Sequence, residues 1–375
     1  MINYGLVGYG LNALGHKMEL DQHEKLKGRA KLRVSFDPNP DAQENLKKLK
    51  DIKIARSFDD LLDTPDLEAI IICSPPQFHA EQAIAALESG LHVYSEIPMA
   101  IKEKNIDKIV QAEEISGKKY QLGENYCFYS EVLYAGHLVS SRKIGPAVYA
   151  ESEYLHDVSY RWRKGNKGGP DTPKIYSWYQ LFDPMMYAHS IGPAQVALGG
   201  LKSPMPFTEV TSFANNIGGH NGEPICKPAK AFQVALFHTE SGAIAKCANA
   251  YIFAREPTRM GIQVVGRTGT YECYEYDTPG RLFLAEDHII TRGRHRKGKR
   301  RTIDKEELAE VIEPVSGLYS GAQARIVDDW LSSIEQDKDP LLHARIGANF
   351  TQAGIAASQS AQLNGKKIRI TNYMS

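Results

Sequence analysis

The sequence predicts an α/β protein in which a doubly wound parallel sheet is followed by an α+β domain on a mostly antiparallel sheet. Three observations carry that prediction. The first third of the chain repeats strand, turn and helix, with strands that are near-continuous apolar runs, as parallel sheets covered on both faces require. From about Glu124 the texture changes to segments that alternate apolar and polar residues, the pattern of a sheet with one solvated face. The 375 residues, 42% hydrophobic and 24% charged, suffice for two packed domains and carry no compositional mark of disorder.

Taken in order, INYGLVG at 2–8 is an apolar strand, and GYGLNALGHKMELD opens a helix at Asn12 or Ala13. The pattern Gly8-x-Gly10-x-x-Ala13 fits a dinucleotide fingerprint: Gly8 makes the tight turn, Gly10 lets pyrophosphate approach the backbone, and Ala13 lets the helix pack on the strand. Amide groups at the helix start then face phosphate. Many strand-to-helix glycine turns hold no ligand, so the next strand matters. KLRVSFD ends in Asp37, where a carboxylate accepts the ribose hydroxyls of NAD and repels the extra phosphate of NADP. The plainer reading of the same aspartate is a cap for the helix that DPNPDAQENL begins, and both roles can hold. LEAIIICSPPQFHAEQAIAALESG then gives a buried strand from Ala69 to Cys73, a Ser-Pro-Pro turn and a helix, and LHVYSE a further strand that ends at a Glu96-Ile97-Pro98 bend.

In the second part AVYAESEYLHD, AFQVALFHTE, GAIAKCANAYIF and GIQVVGRTGTYECYEY read as strands of the antiparallel sheet. ARIGANFTQAGIAASQSAQL reads as a C-terminal helix and KKIRIT as a closing tail. There is no internal repeat and no low-complexity linker.

Bulk properties exclude several classes. Lys plus Arg equals Asp plus Glu at 45 each, so no global field recruits nucleic acid or an anionic bilayer. Cys73, Cys127, Cys226, Cys247 and Cys273 are odd in number and never paired as CxxC, which argues against a disulfide scaffold and a zinc ribbon and fits a reducing cytoplasm. No metal is expected. No apolar run approaches the ~20 residues of a membrane helix, and Ile2 enters a strand without a basic segment and apolar signal core, so neither membrane insertion nor export is expected.

With His16 three places after Ala13, the SPPQFHAEQAIAALESGLHVYSE segment and the Glu-x-Pro bend, the chain resembles the Gfo/Idh/MocA superfamily of NAD(P)-dependent sugar-handling oxidoreductases. The resemblance covers the first third, and its motifs are specific as a set. It implies a Rossmann NAD-binding domain over residues 1–122. Over 123–375 it implies a substrate-binding and oligomerisation α+β domain whose open sheet covers the nicotinamide with one face and makes homo-oligomers with the other. It further implies cofactor contacts from Gly8, Gly10, Leu11, Asn12, Asp37, Ser74, Pro75, Gln77, His79, Glu96, Asn125, Trp162 and Arg163. For His79 the plainer reading is a helix-start side chain satisfied by solvent.

Two polar parts of the ordinary dehydrogenase apparatus are apolar here. Common members carry lysine at the bend, where this chain has Ile97, and an aspartate four residues before a catalytic histidine, where counting back from His189 gives Met185. What stands in their place resembles the superfamily's NAD-dependent glycosidases, of which α-N-acetylgalactosaminidases are the familiar branch: GENYCFYSE, AESEYLHD, the Trp162-Arg163 pair and YAHSIGP. That resemblance implies catalytic roles for Glu124, Tyr154 and His189. Singly, each also fits a blander role, as a solvated strand end, a packing tyrosine and a helix cap; their joint occurrence points to a site. Met186 stands where the branch has a tyrosine, with Tyr187 one step nearer His189, which implies a different sugar.

The expected activity is therefore glycoside hydrolysis by transient oxidation at sugar C3. The alternatives are a plain NAD-dependent sugar dehydrogenase and a sensor that binds NAD and sugar without turnover. For the substrate, SYRWRKGNKGGPDTPKIYSWYQLFD sets Arg161, Arg163, Lys164, Lys167 and Lys174 beside Trp162 and Trp178 in a glycine-rich loop. Arginine forks and loop amides recognise anionic oxygens while indoles stack on sugars, which points to an anionic glycoside such as a sulfoquinovoside, with Lys164, Lys167, Trp178 and Tyr187 on the substrate. Equally, Arg163 could serve the cofactor and the lysines be solvated; an N-acetylgalactosaminide is the second candidate substrate. The basic run TRGRHRKGKRR at 291–301 lacks interleaved aromatics and reads as a solvated hairpin tip, with no catalytic role.

Overall fold

The computed structural model describes residues 1–156, 182–215, 231–250, 259–276, 278–287 and 297–374. They form two compact units, Met1–Phe128 with Val315–Thr351, and Tyr129–Pro314 with Gln352–Ser375. The first unit thus runs past the expected boundary at 122 and takes back a C-terminal segment. Hydrogen bonds explain the difference: the Leu122 amide donates to Leu342 O at 2.9 Å, and the Arg325 side chain donates through Nη1 to Phe128 O at 3.1 Å.

The first unit holds six parallel strands, β1 (Ile2–Val7), β2 (Ala30–Phe36), β3 (Lys53–Ile54), β4 (Ala69–Ile72), β5 (His92–Ser95) and β6 (Tyr120–Leu122), in the order β3-β2-β1-β4-β5-β6. The order reverses between β1 and β4, so the loops leaving their carboxyl ends diverge there and leave room for a ligand. Helices α1 (Leu11–Gln22), α2 (Pro40–Leu46), α3 (Phe58–Leu62), α4 (Pro76–Glu88) and α5 (Glu103–Ser116) connect the strands. All four residues of β4 are buried, as are Leu6, Val34, Val93 and Tyr94 on its neighbours, which is the two-faced burial expected of a parallel sheet.

The second unit carries a nine-stranded sheet. Its strands are β7 (Ala147–Leu155), β8 (Phe207–Asn215), β9 (Phe232–Thr239), β10 (Ile244–Ala250), β11 (Arg259–Gly266), β12 (Gly269–Cys273), β13 (Gly280–Ala285), β14 (Gly298–Ile303) and β15 (Ile368–Arg369). Every pairing is antiparallel except that of β10 with β7. Helices α6 (Ser130–Ser140) and α7 (Ile191–Gly199) pack on each other and on β7 and β11, followed in the chain by the short α8 (Lys305–Ala309). Along β7, Ala150, Ser152 and Tyr154 are buried while Glu151 and Glu153 occupy the other face, where Lys246 pairs with Glu151 at 2.6 Å. Strands β13 and β14 pair as a hairpin, but Gly298, Lys299, Arg300 and Arg301 of the basic run are part of β14 and not of a tip; residues 291–296 of that run lie outside the described residues.

The last two helices are α9 (Ala322–Glu335), within the first unit, and α10 (Ala344–Gln362), inside which the division between units falls. Cys73, Cys127, Cys247 and Cys273 are free thiols, and Cys226 lies outside the described residues. No described helix is long and apolar enough to cross a membrane.

Candidate functional site

The glycine turn is shaped by what faces it. Gly8 has φ +82°, and a Cβ there would lie 2.7 Å from Cys73 O, so only glycine lets β1 and β4 approach in this way. At Gly10 a Cβ would meet nothing within 4 Å. Gly10 caps α1 without a side chain, and the amides that begin the helix at Leu11 and Asn12 are open to an anion. Asp37 reaches back to this turn: Oδ2 accepts from the Tyr9 amide at 2.6 Å and Oδ1 from the Asn39 amide at 2.8 Å. The cap of α2 is Asn39, whose side chain accepts from the Asp41 amide, so the capping role considered for Asp37 belongs to Asn39. One lone pair on each Asp37 oxygen remains for ribose hydroxyls.

The turn after β4 faces the same region. Ser74 donates its hydroxyl to Gln82, and Pro75 caps α4 with Pro76 inside the first turn. Gln77 Oε1 is buried with no hydrogen-bond partner among the described residues, an orphaned acceptor that a bound carboxamide would satisfy. His79 is buried, with Nδ1 2.9 Å from Pro98 O and Nε2 2.7 Å from Ser74 O. It thereby ties the turn after β4 to the bend after β5, and solvent does not serve it. Burial pushes its pKa down while the two carbonyls favour the charged ring. At the bend the apolar side chain of Ile97 is buried, 7% exposed.

Glu96 is held from behind. Its Oε1 lies 2.7 Å from His16 Nε2, and His16 Nδ1 lies 3.1 Å from Gln323 Nε2. Gln323 Oε1 in turn accepts from Asn125 Nδ2 at 3.1 Å. Cys73 joins His16 and Glu96 to give three donor atoms within 4.8 Å of one another, but burial, with Glu96 nearby, pushes its thiol well above its ordinary range and away from the thiolate a metal needs. Glu124 is fully buried, with Oε1 accepting from the Tyr126 amide at 3.2 Å.

In the second unit Tyr154, near the end of β7, packs its ring against His189 with centroids 4.6 Å apart and against His156 at 5.7 Å. The turn Pro184–Tyr187 that leads to His189 is pinned from the sheet: Asn249 Nδ2 donates to Pro184 O at 2.9 Å, and Gln233 Oε1 accepts from the Met185 amide at 3.2 Å. Asp183 beside it accepts from the Ser358 hydroxyl at 2.8 Å. Ala188 then takes φ +61°, which turns the chain into His189 and α7. Met185 and Met186 are both buried, so the apolar residue four places before His189 serves the core. Tyr187 is half-buried and meets Phe182 edge-on at 6.5 Å.

Residues 2–124 match the family described as an oxidoreductase family with an NAD-binding Rossmann fold. This segment matches the Gfo/Idh/MocA family. The open space at Gly10, the bare helix start, Asp37 and the orphaned Gln77 oxygen all fit NAD, which the Gfo/Idh/MocA domain binds. Among curated relatives, a glycosyl hydrolase family 109 protein of Shewanella sp. (strain W3-18-1) is 25% identical over 207 residues, 52% of this chain and 43% of its own length. A 2,7-anhydro-N-acetylneuraminate hydratase of Mediterraneibacter gnavus is 25% identical over 224 residues, 58% of this chain and 54% of its own. The matches thus span about half the length of these relatives. A levoglucosan dehydrogenase in complex with NADH shares the fold at a TM-score of 0.80 and 17% identity, over 99% of each chain.

Trp162, Arg163, Lys164, Lys167 and Trp178, with Arg161 and Lys174, lie outside the described residues. Three residues that motif reading left without a role stand beside predicted ones, His16 and Gln323 in the first unit next to Glu96 and His156 in the second next to Tyr154. His16 was visible three places after Ala13, and His156 in the Tyr-x-His-Asp string, but neither declares its partner. Gln323 stands 307 positions from His16, and nothing in its neighbourhood announces the contact.

Proposed function

We propose that the protein is an NAD-dependent glycoside hydrolase acting by transient oxidation of the sugar at C3. The observation that carries this reading is the Tyr154-His189 pair, two proton-handling side chains with ring centroids 4.6 Å apart. A buried Ile97 at the bend supports it, because the lysine base of a plain dehydrogenase is missing there. The relatives' names support it as well, since one describes a glycosyl hydrolase and the other addition of water to an anhydrosugar.

NAD, when bound, supplies a reversible two-electron acceptor for sugar C3. Gly8, Gly10, Leu11, Asn12 and Asp37 hold its adenosine and pyrophosphate, and Ser74, Pro75, Gln77, Glu96 and Asn125 its nicotinamide half, with His79 fixing the turns between them. His189 takes the proton of the C3 hydroxyl as oxidation proceeds and returns it in the closing step. The 3-ketone acidifies the hydrogen on C2, and Tyr154 removes it. The imidazolium formed at His189 favours the phenolate beside it, so the first proton transfer prepares the second. Loss of the C2 proton makes a C1=C2 bond and breaks the C1–O bond, while Glu124 gives the leaving oxygen its proton. Glu124 then takes a proton from water as hydroxyl adds at C1, C2 takes a proton from the Tyr154 hydroxyl after its exchange with solvent, and the C3 carbonyl is reduced. The sum is hydrolysis without net redox change, outside the paired-carboxylate scheme of most glycosidases.

The substrate proposed first is an anionic glycoside such as a sulfoquinovoside, with an N-acetylgalactosaminide second; Lys164, Lys167, Trp178 and Tyr187 are its proposed contacts, and Trp162 and Arg163 those of the cofactor. A cytoplasmic homo-oligomer is also proposed, formed through the sheet of the second unit, where Phe213, Leu236 and Ile244 are exposed. The test is a balance of aglycone released against NADH formed, on nitrophenyl glycosides of both kinds. Many aglycones per NAD, with no accumulation of NADH, is the expected result. NADH formed in step with an intact oxidised glycoside would make the protein a dehydrogenase, and NAD binding without any turnover would make it a sensor.

A further inference from the structure

Gln323 sits where an unusual stretch of backbone delivers it. Immediately before α9, Tyr319, Ser320 and Gly321 all have positive φ, at 52°, 56° and 80°. Two successive non-glycine residues in that region are costly, and they persist only where neighbours hold them. Here α1 and its C-cap brace the chain just before them: Glu19 accepts from the Leu318 amide, and His23 Nε2 lies 3.0 Å from Ser316 O. A Cβ on Gly321 would fall 2.0 Å from Val315 O, so the turn closes only with glycine. The start of α9, and with it Gln323, is therefore registered against the helix that carries His16.

The buried amide is fully used. Gln323 Oε1 accepts from Asn125, Nε2 approaches His16 Nδ1 at 3.1 Å, and the same nitrogen lies 3.4 Å from the Tyr94 hydroxyl. A carboxylate can only accept, so an ionised Glu96 requires the His16 proton on Nε2. Nδ1 then presents a lone pair, and the amide nitrogen of Gln323 is its donor. Every donor points one way, from Asn125 through Gln323 and His16 to Glu96. Reversing the chain would require both amides turned, the His16 proton on Nδ1 and a carboxylic acid at Glu96. The other groups that face His16 do not compete for its proton, because burial pushes both the Cys73 thiol and the Tyr94 phenol well above their ordinary ranges.

We propose that Gln323 is a positioning residue that fixes His16 as its Nε2–H tautomer, so that His16 donates to Glu96 Oε1 and orients the carboxylate with Oε2 available to the nicotinamide riboside of NAD. The inference rests on the reading of Glu96 as a cofactor contact. Its role is exerted through His16, in the way that second partners of a ligating histidine set tautomer and orientation.

The test combines long-range proton–nitrogen spectra of the imidazoles in the full-length labelled protein with NAD affinity, for the wild type, Gln323→Leu and Gln323→Glu. The His16 signal is assigned by its loss in His16→Asn. The wild type is expected to show His16 protonated at Nε2 alone. Gln323→Glu, which offers His16 only an acceptor, is expected to show both nitrogens protonated, and Gln323→Leu to lose the single tautomer and weaken NAD about tenfold. A merely structural glutamine would change thermal stability and leave the tautomer as it was. Protonation at Nδ1 in the wild type, or an unchanged His16 signal in Gln323→Glu, would overturn the proposal; the near-isosteric Glu variant decides it even if the Leu variant does not fold. Failure of the wild type to bind NAD is a separate result and would overturn the cofactor reading instead.

Discussion

Asp37 uses both carboxylate oxygens on main-chain amides, Tyr9 on one side and Asn39 on the other, and so carries its charge into the glycine turn. Removing it leaves those amides, and the ribose hydroxyls proposed to bind there, without an acceptor. Asp37→Ala should weaken NAD about tenfold or more and lower the preference for NAD over NADP by at least about as much, read by titrating both cofactors. Tyr154 calls for the complementary experiment. Tyr154→Phe keeps the ring against His189 and removes only the hydroxyl, so NAD affinity should stay at the wild-type level while turnover falls by about a hundredfold or more. Turnover within a few-fold of wild type would remove Tyr154 from the mechanism. Residues of this kind were legible because motif and chemistry coincide at one position. Gln323 was not: its meaning lies in three contacts made far along the chain, and a glutamine early in a helix has no local signature.

At the scale of elements, the alternation of strand and helix was readable because burial on both faces makes each parallel strand a short apolar run, as in the four residues of β4. The start of α1 came out at Leu11, one position before the expected Asn12, since a bare glycine cap leaves the first turn unmarked. What the pattern does not show is a charge folded into a junction. Glu113 on α5 accepts from the amides of Tyr120 and Ala344, and burial still pushes its carboxyl up from 4.5 to about 7. A carboxyl raised on folding binds its proton more tightly in the native chain. Its contribution to stability is complete below about pH 4.5 and is lost as the pH climbs through about 7. Asp329, raised by burial to about 6, acts in the same direction. His92, lowered by burial to about 4, acts oppositely, and its contribution is already complete above pH 6.5. Between pH 6.5 and about 8.5 Glu113 therefore dominates among these groups, with a loss of about 1 kcal/mol that Glu113→Gln should abolish. Urea midpoints of the two proteins at both pH values give the comparison, and an equal slope in the variant would place the titrating group elsewhere.

For the whole molecule, the two-part architecture was legible from the change of texture near Glu124, but the return of residues 315–351 to the first unit was not. Nothing in the composition of that segment names its destination; the hydrogen bonds of Leu342 and Arg325 do. That return is also what brings Gln323 to His16, so the part of the candidate site that sequence missed follows from the part of the topology that it missed. The central claim, that a redox fold here performs a hydrolysis, concerns the molecule as a unit and has one most direct test. Purified protein with catalytic NAD is given nitrophenyl sulfoquinovoside and nitrophenyl N-acetylgalactosaminide in deuterated water, and the freed sugar is examined for deuterium at C2. The account predicts aglycone release with deuterium at C2 and no build-up of NADH. Release of the aglycone with C2 still fully protiated would contradict it, since the account has the proton that Tyr154 takes from C2 exchange with solvent before C2 is reprotonated.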